Sequence, residues 1–186
     1  MSARDEILAR VRAALGDAPP VEPVPRAYRR STGSGIETLV ERLLDYKAQV
    51  HRELRVVEEL CRGERVVVPA DLPEGWRPAG AVEDRGFSAR ELDEFDAVVT
   101  GCTLAIADTG TIALEGMRAL TLVPDHHVCI VRESQVVDCV PAAFERLDPT
   151  RPLTFVSGPS ATSDIELSRV EGVHGPRRLD VLLIQA

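Results

Sequence analysis

Three segments of the chain set small polar, acidic or imidazole side chains directly behind apolar runs. Open α/β sheets hold their ligands at such places, in loops leaving the carboxyl ends of strands. The first is Ala105-Ile106-Ala107-Asp108-Thr109-Gly110-Thr111. Gly110 supplies the positive φ of a turn and Asp108 caps it, which leaves Thr109 and Thr111 free to face a ligand. The second runs from Phe155 to Glu166 and contains Ser157, Gly158, Ser160, Thr162 and Asp164. Ser163 and Glu166 stand at capping-box spacing, so a helix is expected to begin there. Its first amides would attract an anion, but Asp164 and Glu166 oppose that field. Ser160, Thr162 and Asp164 could equally hold a neutral polar ligand or a cation. The third is Gly172-Val173-His174-Gly175-Pro176-Arg177-Arg178. The His174 imidazole can take a proton near neutral pH, ligate a metal, or simply bond the end of the preceding helix. Arg177 and Arg178 suit a carboxylate or phosphate. His126, His127 and Cys129 invite a metal reading too. On a strand, however, His126 faces away from the other two, and no zinc site is expected.

The elements that must position these loops begin with an amphipathic helix over Ser2–Leu15. Ser2 and Asp5 stand at cap spacing, Ile7, Leu8, Val11 and Leu15 line one side, and Gly16 supplies the stop. Pro19, Pro20, Pro23 and Pro25 then impose an extended linker, with Arg26, Arg29 and Arg30 read as solvating it. Residues 1–35 form this helix and Pro-rich linker, and residues 36–186 form one α/β domain. Ser34 and Glu37 make a second capping box. The apolar positions Ile36, Leu39, Val40, Leu43, Leu44, Val50, Leu54, Val57 and Leu60 keep a 3.6-residue period as far as Gly63. That pattern predicts one helix about 40 Å long, laid over a sheet face, with Lys47 solvating its outer side.

From Arg65 onward the runs 66–68, 97–99, 119–123, 128–131, 153–156 and 181–184 read as buried strands. Helical patches over 88–95, 138–147 and 163–170 lie between them. This alternation implies an α/β fold: a mixed, largely parallel sheet with helices on both faces. The Asp108-Thr109-Gly110 turn predicts a hairpin between Ile106 and Leu114.

Composition removes several function classes. The 186 residues suffice for one well-buried domain, and 44% hydrophobic with 28% charged residues excludes wholesale disorder. A net charge of -8 offers nothing to nucleic acid phosphates. No window approaches the ~18 apolar residues of a membrane span. Met1–Glu6 carries acids and no apolar core, so it does not read as a leader, and a cytoplasmic protein is expected. Cys61, Cys102, Cys129 and Cys139 are scattered with no C-x-x-C pair. No iron–sulfur cluster, zinc knuckle, redox dithiol or other cofactor is therefore expected in this chain.

Taken in order, Ala107–Thr111, Leu122-Val123-Pro124-Asp125-His126-His127, Ser157–Glu166 and Gly172–Pro176 resemble the lactate-utilisation (LUD) domain family, from about Ile36 to the end. The resemblance implies a fold similar to the sugar-phosphate isomerase and CoA-transferase superfamily, which includes 5-formyltetrahydrofolate cyclo-ligase. It also implies membership of a three-protein system that oxidises L-lactate to pyruvate, with iron–sulfur clusters only in the partner proteins. No catalytic residue carries over from the family. On chemistry alone, the three loops are expected to meet at one sheet edge in a polar pocket for a small anionic metabolite or for part of a partner protein. His174 would be the proton acceptor or carboxylate donor. Thr109, Thr111, Ser160 and Thr162 would orient the ligand, and Asp108 and Asp164 would fix the loops. Gly110, Ser157, Gly158, Glu166 and Gly175 would complete the lining. One alternative is a stand-alone enzyme of this fold that binds a sugar phosphate, CoA or a folate-like molecule. A remoter one is an aspartic protease built on Asp-Thr-Gly, which would need two copies of a mostly β chain.

Overall fold

The computed structural model describes residues 2–16, 22–116, 118–163, 169–171 and 175–185, with 118, 161–163 and 169–171 described by backbone alone. Helix α1 (Ala3–Leu15) starts as its sequence dictates. The Ser2 hydroxyl accepts the Asp5 N–H at 3.2 Å, the Asp5 carboxylate accepts the Ser2 N–H at 3.0 Å, and Gly16 ends the helix. None of its residues is buried. Residues 22–35 behind it form neither helix nor strand, and their end docks on the Cys139 Sγ through the Arg29 carbonyl at 3.8 Å, on Glu145 through Arg30 at 3.1 Å, and above all on Asp138. Asp138 accepts the N–H groups of Thr32, Gly33 and Ser34 at 3.0–3.1 Å and the Ser31 hydroxyl at 2.5 Å. The Ser31 and Thr32 hydroxyls, then the amides, hold the Asp138 carboxyl well below the usual range.

The long helix expected from Ser34 to Gly63 is three elements. Helix α2 (Ile36–Asp45) is capped by Gly35 without a side-chain bond, so the Ser34/Glu37 capping box does not form. Lys47 takes φ 71, and the Ala48 N–H closes back on the Leu43 carbonyl at 3.0 Å. Strand β1 (Gln49–His51) and helix α3 (Val56–Leu60) follow. The periodic apolar positions serve opposite faces of one sheet: Leu39, Leu43 and Val50 pack on one, and Leu54, Val57 and Leu60 on the other. A 3.6-residue period cannot distinguish these two destinations.

The remaining elements are β2 (Val66–Val68), β3 (Val82–Glu83), α4 (Ala89–Leu92), β4 (Ala97–Thr100), β5 (Leu104–Ile106), β6 (Thr111–Glu115), α5 (Arg118–Leu122) and β7 (His126–Arg132). After them come β8 (Val136–Val137), α6 (Val140–Phe144), β9 (Leu153–Val156), β10 (Ala161–Ser163), β11 (Arg169–Glu171) and β12 (Arg178–Ile184). Six strands form a wholly parallel sheet in the order β1-β12-β7-β4-β2-β3. The hairpin β5–β6 forms around Asp108–Gly110 but joins a second sheet, β8-β5-β6-β9. That second sheet is mixed, with β8–β5 parallel and β5–β6 and β6–β9 antiparallel. This second sheet and α2 cover part of one face of the parallel sheet, α4 and α5 cover the rest, and α3 packs on the other face.

Two further expectations change. Residues 119–123 were expected as a strand but lie largely in α5, where Leu120 packs with Leu92 and Val98. Of the helix expected over 163–170, the described ends are strand, with Ser163 of β10 opposite Arg169 of β11, while 164–168 lie outside the described residues. Ser163 is therefore a strand residue and not a helix cap. Among the described residues, no helix is long and apolar enough to cross a membrane.

Near the start of β7 and β12, on the α3 face, a buried carboxylate gathers two imidazoles and a guanidinium. Asp180 is 2% exposed. It meets His51 Nε2 at 2.6 Å, His126 Nε2 at 3.0 Å and Arg178 Nε at 2.9 Å. His126 Nδ1 continues the network to Glu64 at 2.8 Å. Burial alone would raise the Asp180 carboxyl, but the bonds from His126, His51 and Arg178 outweigh it and hold the group down to about 2. A carboxyl lowered by folding contributes stability that is complete above its unfolded value near 3.9 and fades as pH falls through about 2. Asp180→Asn leaves the Arg178 guanidinium without its buried carboxylate partner and should cost about 3–5 kcal/mol at pH 7. In urea titrations at several pH values, the variant's stability should also fall less steeply between about pH 4 and 2.

Candidate functional site

The β5–β6 turn is held by contacts on both sides. The Asp108 N–H donates to the Asp138 carbonyl at 3.0 Å, and the Asp108 carbonyl accepts Arg42 Nε at 3.3 Å. Gly110, at φ +64, lets the turn touch α2: a Cβ there would lie 2.5 Å from Arg42 Cβ. Antiparallel pairing of β6 with β9 sets Ile112 opposite Val156, so the residues just outside that pair meet. Thr109 Oγ1 donates to Thr111 Oγ1 at 2.8 Å, and Thr111 Oγ1 lies 2.9 Å from Ser157 Oγ. Gly158, at φ +84, brings the second turn onto the end of α2, where a Cβ would lie 2.6 Å from Tyr46 Cβ. The Ser160 N–H then donates to the Pro176 carbonyl at 2.7 Å, tying in the third segment.

The structure thus joins Thr109, Thr111, Ser157, Gly158, Ser160 and Gly175–Pro176 through successive contacts. Asp108–Thr111 and Ser157 form a linked shoulder, while Ser157–Ser160 and Gly175–Pro176 wall a cavity of about 250 Å³. Asp108, Thr109, Gly110 and Thr111 are not among its walls. Thr162 lies in β10, opposite Val170. His174, Asp164 and Glu166 fall outside the described residues.

His127 also lines this cavity, beside Leu122 and Leu179. The sequence reading weighed it only as a metal ligand, and no group of three or more potential ligands forms among the described residues. It is 1% exposed and sits on a central strand. Its Nε2 lies 2.8 Å from Thr100 Oγ1, while its Nδ1 has no hydrogen-bond partner among the described residues. A buried polar atom left unpaired costs about 1–3 kcal/mol. The available signal was a histidine heading an otherwise apolar strand, where alternation puts it on the same side as Cys129.

Cys129 is fully buried, with Sγ 3.7 Å from the Gly101 carbonyl. Cys102, and then His127 and Thr100 close by, pull its thiol down against burial, which pushes it up. The same Cys102–Cys129 contact, with burial, pushes Cys102 up. A hydroxyl, an imidazole and two thiols therefore form one polar row under the sheet's end, and Cys129 is the thiol that yields its proton first.

Residues 33–184 match the model of the LUD domain. The chain is 43% identical to Lactate utilization protein C of Deinococcus radiodurans, over 93% of this chain and 91% of that one. It is 24% identical to Lactate utilization protein C of Bacillus subtilis, over 84% and 82% of the two chains. An uncharacterized protein of Neisseria meningitidis is 32% identical over 99% of this chain and 94% of its own. The crystal structure of a DUF162 family protein from Deinococcus radiodurans superimposes with a TM-score of 0.64 at 37% identity. That match covers 80% of this chain and 94% of that one. The parallel sheet flanked by helices is not the mostly β chain that a protease reading of Asp-Thr-Gly requires.

Gly110→Ala and Gly158→Ala combine a left-handed backbone with a clash against α2 and should each cost about 2–4 kcal/mol in urea unfolding. Gly116→Ala, with φ +77 but nothing within 4 Å of the new Cβ, should cost about 1 kcal/mol.

Proposed function

The chain belongs to the LUD domain family, and we propose on that footing that it is the cluster-free component of an L-lactate utilisation system in the cytoplasm. In this reading it supports oxidation of L-lactate to pyruvate together with iron–sulfur partner proteins and holds a small anionic metabolite in the cavity beside His127. The observation that carries the reading is the near full-length likeness to a protein named for lactate utilisation. The cavity adds chemical support, since about 250 Å³ suits a metabolite of a few heavy atoms better than a nucleotide.

Within that cavity His127 is the group of this chain best placed to meet a polar ligand. Thr100 fixes the ring through Nε2, so Nδ1 is the nitrogen left for a hydroxyl or carboxylate. Oxidation of lactate removes two electrons and two protons from the C–H and O–H of its alcohol carbon. In this proposal the two electrons pass to the iron–sulfur partners, one proton passes to His127, or to His174 beside Gly175 in the sequence, and the other is released to solvent.

Lactate oxidation reconstituted from the iron–sulfur partners with and without this chain tests the reading. Activity should fall to background when the chain is left out, and unchanged activity overturns the proposal. Calorimetry with L-lactate, pyruvate and CoA tests the cavity. His127→Asn, at an unchanged melting temperature, should weaken L-lactate or pyruvate binding by about 10–100-fold. Binding of CoA alone would overturn the small-anion reading in favour of a stand-alone enzyme of this fold.

A further inference from the structure

The parallel sheet has a point where its connections part. Strands β2 and β4 are neighbours, with Val66 beside Ala97 and Val67 beside Val98. The chain leaving β2 turns outward to the edge strand β3, whereas the chain leaving β4 goes to the second sheet and returns as β7 on the other side. Strand ends whose connections diverge leave a crevice outside the carboxyl edge. Here that crevice is a cavity of about 260 Å³, and none of its lining residues is shared with the His127 cavity.

Its walls are built for charge. Arg132, the last residue of β7, lies half-buried with its guanidinium carbon 4.5 Å from the centre of the Trp76 ring. Stacking on an indole orients the planar fork without using its N–H donors. No carboxylate pairs with Arg132 among the described residues. The other lining arginine, Arg151, is already held by Glu115 at 2.5 Å. Asp71, the remaining acid in the lining, is solvent-exposed. Gln135 fixes the rim: its Oε1 accepts the Arg132 N–H at 2.9 Å, and its Nε2 donates to the Cys102 carbonyl at 2.5 Å. The ends of β4 and β7 are thereby locked beside the one uncommitted guanidinium in the crevice. Trp76 rests on Gly101, whose missing side chain leaves the space.

We infer that this crevice is a second ligand site, which takes the carboxylate or phosphate group of a small organic anion on Arg132 with Trp76 as its flat wall. The site is independent of the His127 cavity and does not require the lactate reading to hold. Bidentate pairing of a guanidinium with an oxyanion supplies both the affinity and the orientation.

The single tryptophan of the chain is its reporter. The purified full-length protein is titrated with inorganic phosphate, L-lactate, pyruvate and CoA at constant ionic strength, with chloride as the blank, while Trp76 emission is followed. A saturable change with at least one oxyanion is expected, and its identity separates phosphate from carboxylate. Arg132→Gln should weaken that binding at least tenfold, and Arg132→Lys should recover part of it, with calorimetry checking affinity where the stack itself alters emission. No response beyond chloride, an unaltered dissociation constant in Arg132→Gln, or loss of the response in His127→Asn instead would each overturn the assignment.

Discussion

The register of β7 is the constraint on which the rest of the molecule depends. This strand lies between β12 and β4 in the parallel sheet and pairs with β12 from His126 opposite Arg178 to Arg132 opposite Ile184. Alternation then assigns each polar side chain it carries to a face. His126 goes to the α3 face, where Asp180 and Glu64 receive it. His127 and Cys129 go to the opposite face, beneath the second sheet, and Arg132 ends the strand at the crevice. A slip of one residue would exchange the two histidines between faces. It would carry His126 with Val128 and Ile130 beneath the second sheet and bring Cys129 and Val131 to the α3 face, so both sets of core contacts would be lost at once.

The second sheet converts that fixed strand into a cavity. Helix α2 sits on both sheets through Leu39 and Leu43, and its end receives two glycine turns from chain segments about fifty residues apart. The close approach at Gly110 and Gly158 holds the hydroxyl chain Thr109–Thr111–Ser157 in register, because a side chain at either glycine would push its turn outward. Each neutral hydrogen bond in such a chain contributes only about 1 kcal/mol. Its value lies in position: it fixes where the Ser157–Ser160 segment stands over His127. The Asp-Thr-Gly triplet thus acts here as a support for the cavity wall.

Much of this architecture was readable from residue types, and the failures share a cause. The β-branched runs at 66–68, 97–99, 128–131 and 181–184 became strands because an interior strand of a parallel sheet needs apolar residues on both sides. The run at 119–123 has the same texture but is a helical turn, since five residues do not define a period. The merged helix over 34–63 failed similarly: one apolar stripe was read where two faces were being filled. Ser157, Gly158, Ser160 and Gly175 were recognisable as small residues behind strands. Asp108–Thr111 were recognisable too, although they brace the cavity from outside its walls. Trp76 and Arg132 carried no local signal. They lie far apart in sequence, and the gap between β2 and β4 exists only once the strand order is known.

His127 shows why a buried site can be recognised by its cost. An apolar residue at its position would fill the same core, satisfy the strand and leave no orphaned nitrogen. The histidine instead leaves Nδ1 without a partner among the described residues, beside a cavity, while Thr100 holds its other nitrogen. A penalty of about 1–3 kcal/mol is a large share of the 5–15 kcal/mol that typically separates folded from unfolded domains. His126, one residue earlier and almost as deeply buried, bears no such penalty because both its nitrogens face carboxylates. The contrast between adjacent residues of one type on one strand removes burial itself as the explanation. What differs is the partner: His126 has one at each nitrogen, and His127 Nδ1, at the edge of a cavity, has none among the described residues.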